Sequence, residues 1–198
     1  RWLPGRPWQK GLVDDEIAEA HRLADFLHVL QALPTEGAPP AWFAAPGKAL
    51  RTSAPAVEAA LLASYGLAPV DAIRAAWLKA LELHDWEGAG VWLHGDLLPG
   101  NFLVHGGRIA AVIDWGTPGL GDPARDLMPA WTLLAPAGRA AFRSCFSYDS
   151  DVWRRARAMV FTRISNVPYY WETNRGFADE ALENIGAALD DDPDTWEE

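Results

Sequence analysis

Cysteine is nearly absent from this 198-residue chain: Cys145 is the only one, so no disulfide can form within it, as expected of a protein kept in a reducing cytoplasm. It lies in the apolar, helix-like stretch Ala141–Phe146 and reads as a small buried residue rather than a nucleophile. Positive charge is also scarce. Seventeen Lys and Arg stand against 27 Asp and Glu, for a formal net charge of −10, which argues against nucleic-acid binding as the main activity. An acidic surface suits a cationic substrate, and it equally serves solubility alone. No apolar run approaches the length of a bilayer span, and no basic-then-apolar leader is present, so no membrane partner is expected. There is no internal repeat.

Apolar residues are plentiful at 49%, enough for one well-packed domain, and there are 11 tryptophans. Trp77, Trp131 and Trp153 fall at apolar helix positions and are expected in the core. The spacing predicts a helix over 11–33, capped by Asp14, lined by Ile17, Leu23, Leu27 and Leu30, and stopped by Pro34. Residues 34–56 carry five prolines and little periodicity, so they read as a long surface loop with Arg51 near its end. Helices follow near 56–65 and 70–83, then a short strand, Val91-Trp92-Leu93. Residues 102–104 and 108–113 read as a hairpin around His105-Gly106-Gly107. From Pro123 the pattern is helical, near 123–135, 136–146, 149–167 and 178–190, with Asn166–Trp171 as an interruption. An acidic, frayed tail closes the chain.

The chemistry is concentrated in one segment. His94-Gly95-Asp96-Leu97-Leu98-Pro99-Gly100-Asn101 is followed by Ile113-Asp114-Trp115-Gly116 and then Gly121-Asp122-Pro123-Ala124-Arg125-Asp126-Leu127. Phosphoryl transfer needs a carboxylate to take the proton of an attacking hydroxyl and oxygen ligands to hold magnesium against the phosphates. Asp96, Asn101 five residues on and Asp114 thirteen further meet that need in the order seen in kinase catalytic loops. The hairpin is expected to bring Asp114 opposite Asn101. Asn101 and Asp114 both offer hard oxygens suited to Mg²⁺.

In these three motifs the chain resembles the aminoglycoside phosphotransferase family of kinase-like enzymes, which use His-Gly-Asp where protein kinases use His-Arg-Asp. Leu98 departs from the family's usual His, and Trp115 stands where many kinases carry Phe. The resemblance implies an α+β, mostly helical fold: a protein-kinase-like C-terminal lobe with a small β-hairpin at the active site. It also implies an ATP-dependent phosphotransferase, with Mg²⁺ and ATP (or GTP) as cofactors, acting on the hydroxyl of a small substrate such as an aminoglycoside. Asp96 would be the catalytic base, and Asn101 and Asp114 the metal ligands. Asp126 would accept hydrogen bonds from catalytic-loop amides. His94 reads as a brace for that loop rather than a general acid, and Asp122 as the cap of the helix that Pro123 opens.

The resemblance also sets the expected layout. Residues 1–10 would be an interlobe hinge remnant, with Trp2 and Leu3 meeting the adenine. Residues 11–190 would form the lobe, with a catalytic loop at 92–104 and a metal loop at 110–127, and residues 191–198 the acidic tail. Nothing before Asp96 supplies a Gly-rich loop or a paired Lys and Glu, and Lys10 and Lys48 fall in loops. The β-rich N-terminal lobe is therefore expected to be missing and the chain to be a truncated catalyst, with an uncovered upper face that favours a homodimer. Acceptor contacts are unassigned, with Tyr169, Tyr170, Trp171, Glu172, Asp179 and Glu180 as candidates. A kinase C-lobe serving as a binding or regulatory module is the rival reading. A protein kinase is disfavoured by Gly95 and by Gly121-Asp122-Pro123.

Overall fold

The computed structural model describes residues 2–41 and 49–191. The elements run β1 (Arg6–Pro7), α1 (Glu16–Gln31), α2 (Ala49–Ala63), α3 (Val70–Ala80), β2 (Val91–Leu93), β3 (Phe102–His105), β4 (Arg108–Val112), β5 (Gly119–Gly121), α4 (Pro129–Thr132), α5 (Pro136–Ser144), α6 (Ser150–Val160), α7 (Asn166–Tyr170) and α8 (Arg175–Asp190). Tight 3₁₀ turns at Pro99–Asn101, Pro123–Leu127 and Phe161–Ser165 join some of them. The result is the expected mostly helical α+β architecture. Its helices enclose one main core, in which Trp77, Trp153, Phe102, Phe142, Phe161 and Leu27 are almost wholly buried. No described helix is long and apolar enough to cross a membrane.

Two small antiparallel sheets lie beside that body, in the orders β1-β3-β4 and β2-β5. The expected hairpin is present: Phe102 pairs with Val112 and His105 with Arg108, around Gly106 and Gly107. Both glycines have positive φ (57° and 72°), as a two-residue turn that follows the strand twist requires. The register shifts between Leu103 and Val104. Beside the shift, Ile109 N–H donates over 2.8 Å to the buried Glu19 carboxylate and so ties the hairpin to α1.

Several sequence expectations are corrected. The first helix starts at Glu16 and ends at Gln31, and its cap is Asp15, whose Oδ1 accepts from Ala18 N–H at 3.0 Å. Asp14 instead gives its backbone N–H to Gly107 O (2.9 Å), which holds it outside the helix. Ile17 faces solvent, while Ala20 and Ala24 join Leu23, Leu27 and Leu30 on the buried face. The loop expected over 34–56 is shorter, because α2 begins at Ala49. Pro55 is accommodated within α2 as Leu50, Val57 and Leu61 bury, and Arg51 is helical and pairs with Asp85 at 2.6 Å. Lys48 lies outside the described residues.

Farther along, Asn166–Tyr170 is helical rather than a break, since Pro168 sits in the first turn where its missing N–H is not needed. β1 and β5 were not anticipated, because an Arg-Pro pair and Gly119-Leu120-Gly121 carry no period-two signal. A Cβ on Gly119 would come within 2.7 Å of Ala41 N, so only glycine lets Pro39–Ala41 lie along β5. Asp191, expected in a frayed tail, accepts from Trp131 Nε1 (2.7 Å) and from Arg139 (3.0 Å). The rest of the tail lies outside the described residues.

Candidate active site

The catalytic loop leaves β2, turns at Gly95 (φ 87°) and closes in the Pro99–Asn101 turn before β3. The Asn101 side-chain amide donates both to Asp96 O (2.7 Å) and to Asp96 Oδ2 (3.0 Å). Two acceptors on one side fix which way the amide points and leave Asn101 Oδ1 free to act as an acceptor or ligand. Asp96 and Asn101, five residues apart in sequence, therefore form one hydrogen-bonded unit.

Asp114 reaches this unit from the hairpin. Ile113 N–H donates to Asn101 O (2.9 Å), so the residue before Asp114 is bonded to the proposed metal asparagine. Asp114 has φ 63°, and it is the one non-glycine among the described residues with positive φ. For a side-chain-bearing residue that conformation costs roughly 1–2 kcal/mol and persists only where neighbours enforce it. A Cβ on Gly116 would lie 3.4 Å from Asp114 Oδ1, so the carboxylate folds back over that glycine.

His94 is fully buried and binds two backbone groups. Its Nε2 lies 3.0 Å from Ile113 O, and its Nδ1 lies 3.3 Å from Asp96 N. A neutral ring with its proton on Nε2 satisfies both. Burial holds the imidazole below its usual range, against the opposing pull of the Ile113 carbonyl and the charges of Asp96 and Asp114. Asp126 carries the other side of the loop: its carboxylate accepts from His94 N (2.6 Å) and Gly95 N (2.9 Å). The neighbouring Arg125 donates to Gly95 O at 2.9 Å, and Thr117 to His94 O at 3.2 Å.

Burial pushes Asp126 up to about 6, despite the two amides and the nearby Arg125 that favour its charged form. Because the folded value exceeds the unfolded one, stability linked to this group is fullest below about pH 4 and is lost as pH rises through about 6. The expected result is an Asp126 carboxyl that titrates near 6 by NMR. A midpoint near 4 would show that the amide bonds outweigh burial.

Asp122 caps the Pro123–Leu127 turn, as expected, through Oδ1 and Ala124 N–H at 3.0 Å. Its other oxygen forms a buried ion pair with Arg155 at 2.8 Å, both side chains being 5% exposed or less. Arg155 comes from α6, 33 residues away, and no local sequence signal marks it. Arg125 and Thr117 were likewise missed, although Arg125 lies inside the third motif.

The remaining candidates are dispersed or already engaged. Trp2 and Leu3 precede β1 and are exposed. Asp179 is paired with Arg175 and Glu180 with Arg163, while Arg175 lies 3.7 Å over the Trp171 ring. These acidic groups are thus partly neutralised within the chain, and Tyr169 is the most open of Tyr169, Tyr170 and Trp171 at 73% exposed. Cys145 is half-buried and within 3.2 Å of His21 Nδ1, with its thiol raised chiefly by burial.

The oxygen donors that could hold a cation at the catalytic loop are Asn101 Oδ1 and the Asp114 carboxylate. No group of three or more His, Cys, Asp or Glu able to hold a metal ion gathers among the described residues. A sparse, oxygen-only pair fits Mg²⁺, which is usually bound through one or two carboxylates with waters and substrate phosphates.

The family model described as the phosphotransferase enzyme family matches residues 1–159. No curated protein matches. Among solved structures, the chain is similar to macrolide 2′-phosphotransferase MphH from Brachybacterium faecium, at 25% identity and a TM-score of 0.54, over 91% of this chain and 68% of that one. It is also similar to a thermostable mutant of aminoglycoside phosphotransferase APH(4)-Ia in a ternary complex with AMP-PNP and hygromycin B, at 18% identity and a TM-score of 0.57, over 96% of this chain and 70% of that one. A third likeness is to the gentamicin–APH(2″)-IIa complex, at 15% identity and a TM-score of 0.53, over 95% and 70% of the two chains. At their identities the last two bear on the fold alone.

Proposed function

We propose that this chain, which belongs to the phosphotransferase enzyme family, carries the catalytic loop and metal residues of an ATP-dependent small-molecule kinase. The reaction is transfer of the γ-phosphoryl group to a hydroxyl of a small acceptor, an aminoglycoside or a related compound. One observation carries this reading: the Asn101 amide is tied to Asp96, which leaves its carbonyl oxygen unused, while the residue before Asp114 is bonded to the Asn101 backbone. A turn-capping asparagine would have no need of the Asp96 side chain. Membership of the phosphotransferase family, and the likeness to a macrolide phosphotransferase at 25% identity, support phosphoryl transfer to a small acceptor.

Asp96 Oδ1 is the atom left to orient the acceptor hydroxyl and take its proton, because Oδ2 accepts from Asn101. Asn101 Oδ1 and the Asp114 carboxylate would hold Mg²⁺. When bound, Mg²⁺ offsets charge on the nucleotide phosphates and so lowers the barrier to in-line attack. Asp126 and Arg125 fix the Gly95 peptide from both ends, and His94 joins the loop to the segment that carries Asp114. Residues 11–190 form the working lobe, with Trp2 and Leu3 open to a nucleotide base at its edge. The single free thiol suits a cytoplasmic setting.

The test is to incubate the chain with Mg·ATP or Mg·GTP and a panel of aminoglycosides, macrolides and simple amino alcohols, then read products by mass spectrometry. A phosphorylated acceptor that vanishes with Asp96→Asn establishes the transfer. Mg²⁺-dependent nucleotide binding with no transfer fits a truncated catalyst, and nucleotide binding that ignores Mg²⁺ favours the binding-module reading.

A further inference from the structure

We infer that Trp115 is the positioning residue that locks Asp114 in its left-handed conformation. The inference rests on the reading of Asp114 as a metal ligand, but the lock itself is a property of the metal-free chain. Asp114 is followed directly by Trp115, whose indole Nε1–H reaches back over the turn to donate to Val112 O at 3.2 Å. The two carbonyls before Asp114 are thus both held by ring N–H donors, Val112 O by Trp115 and Ile113 O by His94. The two rings brace each other, with centroids 4.5 Å apart and planes at 63°. Phe26 of α1 also meets the Trp115 ring edge to face, with centroids 6.1 Å apart.

Ordinary core packing does not account for this placement. Trp115 remains 43% exposed, whereas Trp77, Trp131 and Trp153 are buried to within 3%. A tryptophan kept at the surface, with its one polar atom bonded to the turn, contributes more to local geometry than to global stability. Released from this clamp, Asp114 would relax to ordinary negative φ, and its carboxylate would leave its place over Gly116. Tryptophan suits the position because its ring covers His94 while its N–H spans the turn. Phenylalanine does only the first.

The test compares wild type with Trp115→Phe and Trp115→Leu by amide hydrogen exchange in the metal-free chain, and by Mn²⁺ affinity from water-proton relaxation. Trp115→Phe keeps the ring and deletes one hydrogen bond, so exchange at Ile113 N–H should quicken by about fivefold, with amides elsewhere unchanged. Mn²⁺ affinity should weaken by about the same factor, and more in Trp115→Leu. Unchanged exchange at Ile113 in the Phe variant would overturn the lock, and so would a uniform rise across the whole chain, which marks a structural role. If wild type bound no Mn²⁺, the metal reading of Asp114 would fall, and the exchange comparison would still decide the lock.

Discussion

Asp96→Asn is expected to lower kcat by about a thousandfold, within the range lost when a positioned base is removed. Nucleotide and metal affinity should change little. The reason is the division of labour between the two atoms of Asp96 that meet Asn101. Asp96 O holds the Asn101 amide at 2.7 Å whatever the side chain at position 96. The substituted amide can also turn its oxygen toward Asn101 Nδ2 and keep the second bond. Asn101 Oδ1 therefore stays in place for the cation. The group turned toward the acceptor becomes an NH₂, which cannot take a proton. Steady-state kinetics checks this: kcat falls and the nucleotide KM holds. A rise in KM with kcat unchanged would mean that Asp96 serves binding rather than proton transfer.

Asp122→Ala is expected to cost about 3–5 kcal/mol of stability, because it strands the Arg155 guanidinium in the interior. Both partners are at most 5% exposed, so water cannot replace the lost carboxylate. The same change removes the cap on Ala124 N–H, worth about 1 kcal/mol in typical hosts. Adding Arg155→Met removes the stranded charge, and the double variant should recover more than half of the loss. Denaturant unfolding of the four proteins in the cycle measures this directly. A single-variant loss below about 1 kcal/mol would place the pair with solvent-exposed ion pairs instead. The effect also reaches the site, since the turn that Asp122 caps carries Arg125 and Asp126, and these hold the catalytic loop.

The parts of this molecule that could be read from sequence are those whose cause is local. The hairpin was legible because two glycines stand between apolar runs, and the Asp122 cap because Asp-Pro opens a turn. Asp96, Asn101 and Asp114 stood out by residue type and spacing, and the structure bonds Asn101 to Asp96 and to the residue before Asp114. What could not be read depends on distant partners. Arg155 reaches Asp122 from α6, and Glu19 reaches Ile109 from α1. Neither pairing leaves a trace at either end of the sequence. β5 escaped notice because Gly119 is selected by the close approach of Ala41 rather than by strand propensity. Asp15 displaced Asp14 as helix cap because the Gly107 carbonyl, 93 residues away, binds Asp14 N–H. The left-handed Asp114 was also hidden, since the bonds beside it join its neighbours Val112 and Ile113 to the Trp115 and His94 rings, and nothing in the local sequence announces them.

The most direct test of Asn101 and Asp114 as a metal–nucleotide site is a calorimetric titration of ATP into the chain, with and without Mg²⁺, for wild type and Asp114→Asn. Mg²⁺-dependent binding in wild type that is lost in the variant is the predicted result. Binding that ignores Mg²⁺, or that survives unchanged in Asp114→Asn, would contradict it.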